Sequence, residues 1–159
     1  MFCQPILPAT MLKTFERGRS YAFHCLGRRM MTVGQMKEKL ISKDYSEDVS
    51  AKIIDYLLEN RYLDDAEYAA RYITSSQSKG VYRIKQDLRL KKVDNSIIEQ
   101  ALSDTERDFE CGLKSLVAER AAKLDLQNPK DKNRLMNYLA RRGFGFSSID
   151  KAIREVQGD

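Results

Sequence analysis

Histidine, cysteine and proline are scarce in this chain, and each scarcity closes off a class of function. One histidine, three cysteines and three prolines occur among 159 residues. His24 has no partners at metal-ligand spacing, because Cys3, Cys25 and Cys111 are scattered. A structural zinc site needs four such ligands in one place. An odd cysteine number without a secretory leader points to a reducing cytoplasm. Residues 1–12 contain Pro5 and Pro8 and lack a basic start and a long apolar centre. They read as the core of an N-terminal arm, residues 1–14, rather than a signal peptide. No run of about 18 apolar residues exists, so no transmembrane helix is expected. The chain has no nucleophile elbow, P-loop or His-Glu-x-x-His. It is therefore not read as an enzyme, and no cofactor or metal is expected. Sustained period-two alternation is absent too, which excludes a sheet.

Helical periodicity is what the chain has. It is clearest over residues 62–101. Leu63, Asp64 and Asp65 open a helix in which Asp64 suits the N-cap and Glu67 completes a capping box. Tyr68, Ala69, Tyr72 and Ile73 form its apolar stripe. Ser75, Ser76, Ser78 and Gly80 interrupt the pattern. A second helix carries Val81, Ile84 and Leu88. A third, capped by Asp94, carries Ile97, Ile98 and Ala101. The pair Asp64 and Asp65 could suggest a metal or a shared proton. Adjacent residues at a helix start point about 100° apart, so the cap is the better reading.

The same pattern flanks this unit. Leu40, Leu88 and Leu139 act as anchors, 48 and 51 residues apart. Four residues before each stand Met36, Ile84 and Leu135, and five after stand Tyr45, Val93 and Phe144. Eighteen before stand Ala22, Ala70 and Ala121, and fifteen before stand Cys25, Ile73 and Leu124. This predicts an all-α fold: three tandem three-helix repeats stacked into an elongated curved array. Their expected bounds are 15–60, 61–103 and 104–159. In the third repeat a long helix capped by Ser103 or Asp104 should end at Gln127-Asn128-Pro129. Residues 132–140 should form the next, and Ser147 or Ser148 should cap the last.

Charge is uneven. The chain carries a net +5, and residues 79–92 alone hold six bases against Asp87. Such an excess suits an anionic partner. On a helix from Val81 to Leu90, Ile84 and Leu88 should face the core, leaving Arg83, Lys85, Gln86 and Arg89 on the sides and outer face, with Lys79 just before the helix. Lys91 and Lys92 follow just past the helix end. The third repeat adds Lys130, Lys132, Arg134, Arg141 and Arg142, and the first adds Lys37, Lys39 and Lys43, diluted by Glu38. Tyr82 lies off the core stripe beside Arg83 and is the candidate for stacking on a base or filling a partner's pocket.

The segments LDDAEYAARYI, KGVYRIKQDLRLKKV and YLARRGF resemble the RecX family, over roughly residues 19–156. That resemblance implies a regulator, without a cofactor, that binds the RecA–DNA filament and inhibits its recombinase and ATPase activities in recombinational repair and the SOS response. It implies a cytoplasmic monomer with weak contact to single- or double-stranded DNA, no sequence preference and no membrane. The family usually has glycine after the central basic helix. Here Lys92 takes that place and Asp44 its counterpart in the first repeat, so the residue favouring a left-handed C-cap is present only as Gly143. A rival reading is a stand-alone, helix-turn-helix-like DNA-binding protein, which would read bases in a major groove.

Overall fold

The anchor leucines decide the architecture. Leu40, Leu88 and Leu139 are fully buried, each in a separate apolar cluster. A computed structural model describes residues 14–105 and 108–158. Among the described residues there are nine α-helices and no strand. Cys3 and most of the expected N-terminal arm lie outside them. The helices come in threes: α1 (Phe15–Leu26), α2 (Val33–Ile41) and α3 (Glu47–Glu59); α4 (Asp65–Ser75), α5 (Val81–Leu90) and α6 (Asn95–Ser103); α7 (Phe109–Ala121), α8 (Pro129–Arg141) and α9 (Phe146–Gln157). No helix among the described residues is long and apolar enough to cross a membrane.

The chain divides into two compact units, Met1–Asp65 and Ala66–Asp159. In the first, Ala22, Cys25, Met36, Leu40, Ile53 and Leu57 form the core, and Leu63 closes it. Thr32 makes a complete capping box with Gln35 at the start of α2, and Ser46 caps α3. Asp65 is not spent on its own helix alone. Its carboxylate accepts a 2.8 Å hydrogen bond from Val33 N, satisfying an orphan donor at the positive end of α2. Burial raises the Asp65 carboxyl, with the neighbouring Asp64 charge adding to that, against the opposing Val33 bond.

The second unit holds two cores. Ala69, Ile73, Ile84, Leu88, Val93 and Ile98 make one. Leu113, Val117, Leu135, Leu139, Ile149 and Ile153 make the other. A backbone junction links the helices of the two. The Gly80 N–H donates to the Arg142 carbonyl at 2.8 Å, and the Tyr82 N–H to the Gly143 carbonyl at 3.2 Å. The negative end of α8 thus meets the positive end of α5, and each supplies what the other lacks. A Cβ at Gly80 would overlap the Gly143 carbonyl, and one at Gly143 would overlap the backbone of Arg83.

Several helix boundaries differ from the periodicity. Helix α7 starts at Phe109, because Asp108 rather than Ser103 or Asp104 accepts from the backbone of Glu110 and Cys111. Pro129 begins a helix instead of ending one. Asn128 accepts from Lys130 N, and proline at the first helical position loses no needed donor. Gly145, not Ser147 or Ser148, is the extended residue before α9. Ala69 is buried and Ala70 exposed. Positions three and four before Ile73 both lie one turn away, so spacing cannot choose between them.

The missing glycines do not prevent left-handed caps. Asp44 has φ 60°, Lys92 φ 63° and Gly143 φ 87°. After each anchor leucine the same pair of hydrogen bonds closes the helix. Tyr45, Val93 and Phe144 donate to the carbonyls of Leu40, Leu88 and Leu139 at 3.2, 3.1 and 3.3 Å. Asp44, Lys92 and Gly143 donate to Ile41, Arg89 and Ala140 at 2.8, 2.9 and 2.9 Å. This is a Schellman motif, and its apolar pair is the repeat's anchor leucine and the residue five on. Burying that pair outweighs a left-handed penalty of roughly 1–2 kcal/mol at a non-glycine residue. Lys92→Gly should therefore stabilise the fold by about 0.5–1 kcal/mol, after allowance for the looser unfolded chain. Gly143→Ala should cost at least about 2 kcal/mol. Urea melts of both variants check this; equal stability of Gly143→Ala and the parent would refute the junction.

Candidate functional site

The basic window lies on α5 and its flanks, and Asp87 organises it. Asp87 falls beside the Ile84–Leu88 stripe and its side chain is only 10% exposed. A carboxylate there requires partners. Lys79 Nζ donates to Asp87 Oδ2 at 2.7 Å and to Tyr72 Oη at 2.6 Å, while Tyr72 Oη donates to Asp87 Oδ2 at 2.8 Å. Arg83 Nε pairs with Asp87 Oδ1 at 3.1 Å. Burial alone would push the Asp87 carboxyl up. The bonds from Lys79 and Tyr72 and the charges of Lys79 and Arg83 outweigh it and hold the group below the usual carboxylate range. Burial likewise disfavours charge on Lys79, but the bonds to Asp87 and Tyr72 reverse that and raise it.

The junction then adds the third repeat's cations. Arg141 and Arg142 end α8 where its carbonyls meet Gly80 and Tyr82. Lys79, Arg83, Tyr138, Arg141 and Arg142 line one open pocket of about 400 Å³. Arg142 donates to Ser78 Oγ at 2.7 Å. The Tyr138 ring centre lies 4.4 Å from the Arg120 guanidinium and 5.0 Å from that of Arg142. Arg134 is exposed on α8. It lies seven residues before Arg141, close to two full turns, and so shares its face. Among the described residues no ion pair holds Arg134 or Arg141.

The remaining candidates do not join this pocket. Lys85 pairs with Glu99 at 2.7 Å. Arg89 Nε donates to Asn95 at 2.7 Å. Lys91 lies 5.5 Å above the Tyr72 ring, and Lys92 occupies the left-handed cap. Tyr82 is 70% exposed and Phe146 64%. Lys37, Lys39 and Lys43 belong to the first unit. In the expected structural motif, Leu63 and Ala69 are core, Asp64 is exposed, and Tyr68 and Tyr72 are half-buried. Sequence reasoning missed Ser78, Tyr138 and the buried role of Asp87. A signal for Asp87 existed: it is the lone acid of the window, one turn after Arg83, at the edge of an apolar stripe. Among the described residues no three His, Cys, Asp or Glu side chains cluster as a metal site.

Three family descriptions match in tandem: RecX, first three-helix domain, over residues 19–57; second three-helix domain, over 64–102; third three-helix domain, over 115–153. A "Regulatory protein RecX" of Vibrio parahaemolyticus is 34% identical, with 83% of this chain and 86% of that protein covered. The chain belongs to the RecX family. The counterpart in Clostridium botulinum is 29% identical, with 87% and 68% covered. The crystal structure of RecX from Lactobacillus salivarius superposes with a TM-score of 0.81 at 25% identity, covering 91% of this chain and 97% of that one. The RecX match gives the chain a regulatory role, and it accounts for the three cores. In these terms the pocket joins the second and third RecX domains.

The Asp87 network carries a pH dependence of known sign. Its carboxyl is held below its unfolded value, so its stabilisation is complete above the unfolded pKa of about 4 and is lost as pH falls through the depressed folded value. Asp87→Asn should cost about 1–3 kcal/mol at pH 7, because Lys79 and Arg83 lose a buried counterion. The variant should also lose less stability than the parent between about pH 5 and pH 2. Denaturant melts across that range test both; parallel acid limbs would remove Asp87 as a stabilising anion.

Proposed function

We propose that this chain binds the RecA–DNA filament and inhibits its recombinase and ATPase activities, working as a cytoplasmic monomer without chemistry of its own. The working units are the three repeats, 15–60, 61–103 and 104–159, after an arm at 1–14. The observation that carries this reading is the convergence of Lys79, Arg83, Arg141 and Arg142 from two repeats on one pocket, with Arg134 continuing the charge along α8. Four cations against the single Asp87 carboxylate leave a local excess that suits phosphates or an acidic protein surface. Tyr82, exposed nearby, offers a stacking or pocket-filling contact. Lys85, Arg89, Lys91 and Lys92 extend the same basic window. Inhibition would be steric and electrostatic: the second unit, held against the filament through this pocket, blocks its growth.

The test must spare the fold. Arg83→Glu would set a second carboxylate against buried Asp87, so it confounds binding with stability. Arg134→Glu together with Arg141→Glu breaks no ion pair among the described residues. The double variant should melt like the parent yet inhibit RecA ATP hydrolysis on single-stranded DNA about tenfold less effectively, or worse. Inhibition by the parent should weaken as salt rises if phosphates are met. Full inhibition by the folded double variant would take α8 out of the binding surface. Strong discrimination among duplexes of different sequence, with no effect on the filament, would favour the stand-alone DNA-binding reading.

A further inference from the structure

The residue just before the anchor leucine differs in kind among the repeats: Lys39, Asp87 and Tyr138. In the second repeat Asp87 is a buried carboxylate that takes Lys79 and Arg83 and accepts from Tyr72. In the third, Tyr138 offers its ring to Arg120 and Arg142. Both repeats supply an internal acceptor for the cations around that place. The first repeat supplies another cation instead.

Lys39 lines an open pocket of about 540 Å³ with Arg28, Arg29 and Lys43. His24, at the offset equivalent to Tyr72, forms part of the wall, and Tyr21, Cys25 and Met31 complete it. No carboxylate is among the lining residues. Arg28 and Arg29 are exposed in the turn after α1, while Lys39 is half-buried on α2. All these residues lie in the first unit. Arg28, Arg29 and Lys39 bring three like charges to one concave wall, and a bound anion relieves their repulsion.

We infer that this pocket is a phosphate-binding site, in which the phosphate of a nucleic acid or nucleotide takes the place that Asp87 takes in the second repeat. Phosphate fits better than carboxylate. Its oxygens are arranged tetrahedrally, two non-bridging and two ester oxygens in a phosphodiester and three charged ones in a terminal phosphate, so one group can meet cations from several sides of the pocket where a planar carboxylate cannot. The pocket also falls within the size range of ligand clefts. The inference is independent of filament binding, since it concerns a different unit and needs no RecA.

Lys39→Asp copies the second repeat's solution and should fill the site from within. The full-length parent and variant are titrated with inorganic pyrophosphate and, separately, with a short oligothymidylate, following backbone amide shifts. In the parent, amides around Arg28, Arg29, Lys39 and Lys43 should shift on titration. In Lys39→Asp, affinity at those amides should fall about tenfold or more. Should Lys39→Asp fail to fold, Arg28→Ala with Arg29→Ala must give the same loss. Shifts with both ligands assign the phosphate to nucleic acid; shifts with pyrophosphate alone assign it to a soluble phosphate compound. Unchanged titrations in the folded variants, or an equal response to a polyglutamate peptide, would overturn the site.

Discussion

The second unit depends on a place where two backbones meet with nothing between them. Gly143 takes a left-handed conformation at the end of α8, and Gly80 lies against its carbonyl at the start of α5. Two N–H groups that α5 cannot satisfy internally are bonded to carbonyls that α8 cannot use. No side chain fits in that gap. The constraint reaches beyond stability. It fixes the last residues of α8 beside the first of α5, and so brings Arg141 and Arg142 to Lys79 and Arg83. A surface of separate charges becomes one cationic pocket because two glycines allow the approach.

The repeats share a scaffold and differ in what they place on it. Each closes its second helix with the same Schellman bonds, and each buries the same leucine there. One residue before that leucine, lysine, aspartate and tyrosine produce three electrostatic environments. The carboxylate of Asp87 ties cations inward, and the ring of Tyr138 holds two guanidinium groups. Lys39 leaves the first repeat's pocket cationic. A RecX protein built this way carries different electrostatic environments on its domains without changing their folds. Position, not fold, carries the distinction.

Much of this was legible before any coordinates. Leu40, Leu88 and Leu139, with the apolar residues four before and five after, marked three repeats, and all three leucines are buried. Asp94 was readable as a cap because a short polar side chain before an apolar helical stripe has a direct physical use. Tyr82 was readable as exposed because it falls off the stripe that Ile84 and Leu88 define. The basic excess of residues 79–92 was plain from composition, but its internal partners were not. Lys85 with Glu99 and Lys79 with Asp87 are pairings across a fold.

The sequence by itself determined the helices, their grouping in threes and most of the residues that form each core. Those follow from local spacing, since a helix buries whatever recurs every three to four residues. Tertiary structure alone decided the left-handed turns at Asp44 and Lys92. There the burial of Tyr45 and Val93 next to the anchor leucines outweighs the local preference for glycine. It also decided that Asp65 caps α2, that Ala69 rather than Ala70 enters the core, and that Arg141 meets Arg83. Each of these depends on where a distant backbone lies. Spacing along one helix carries the identity of its buried face, but not which orphan N–H, carbonyl or charge another element brings to it.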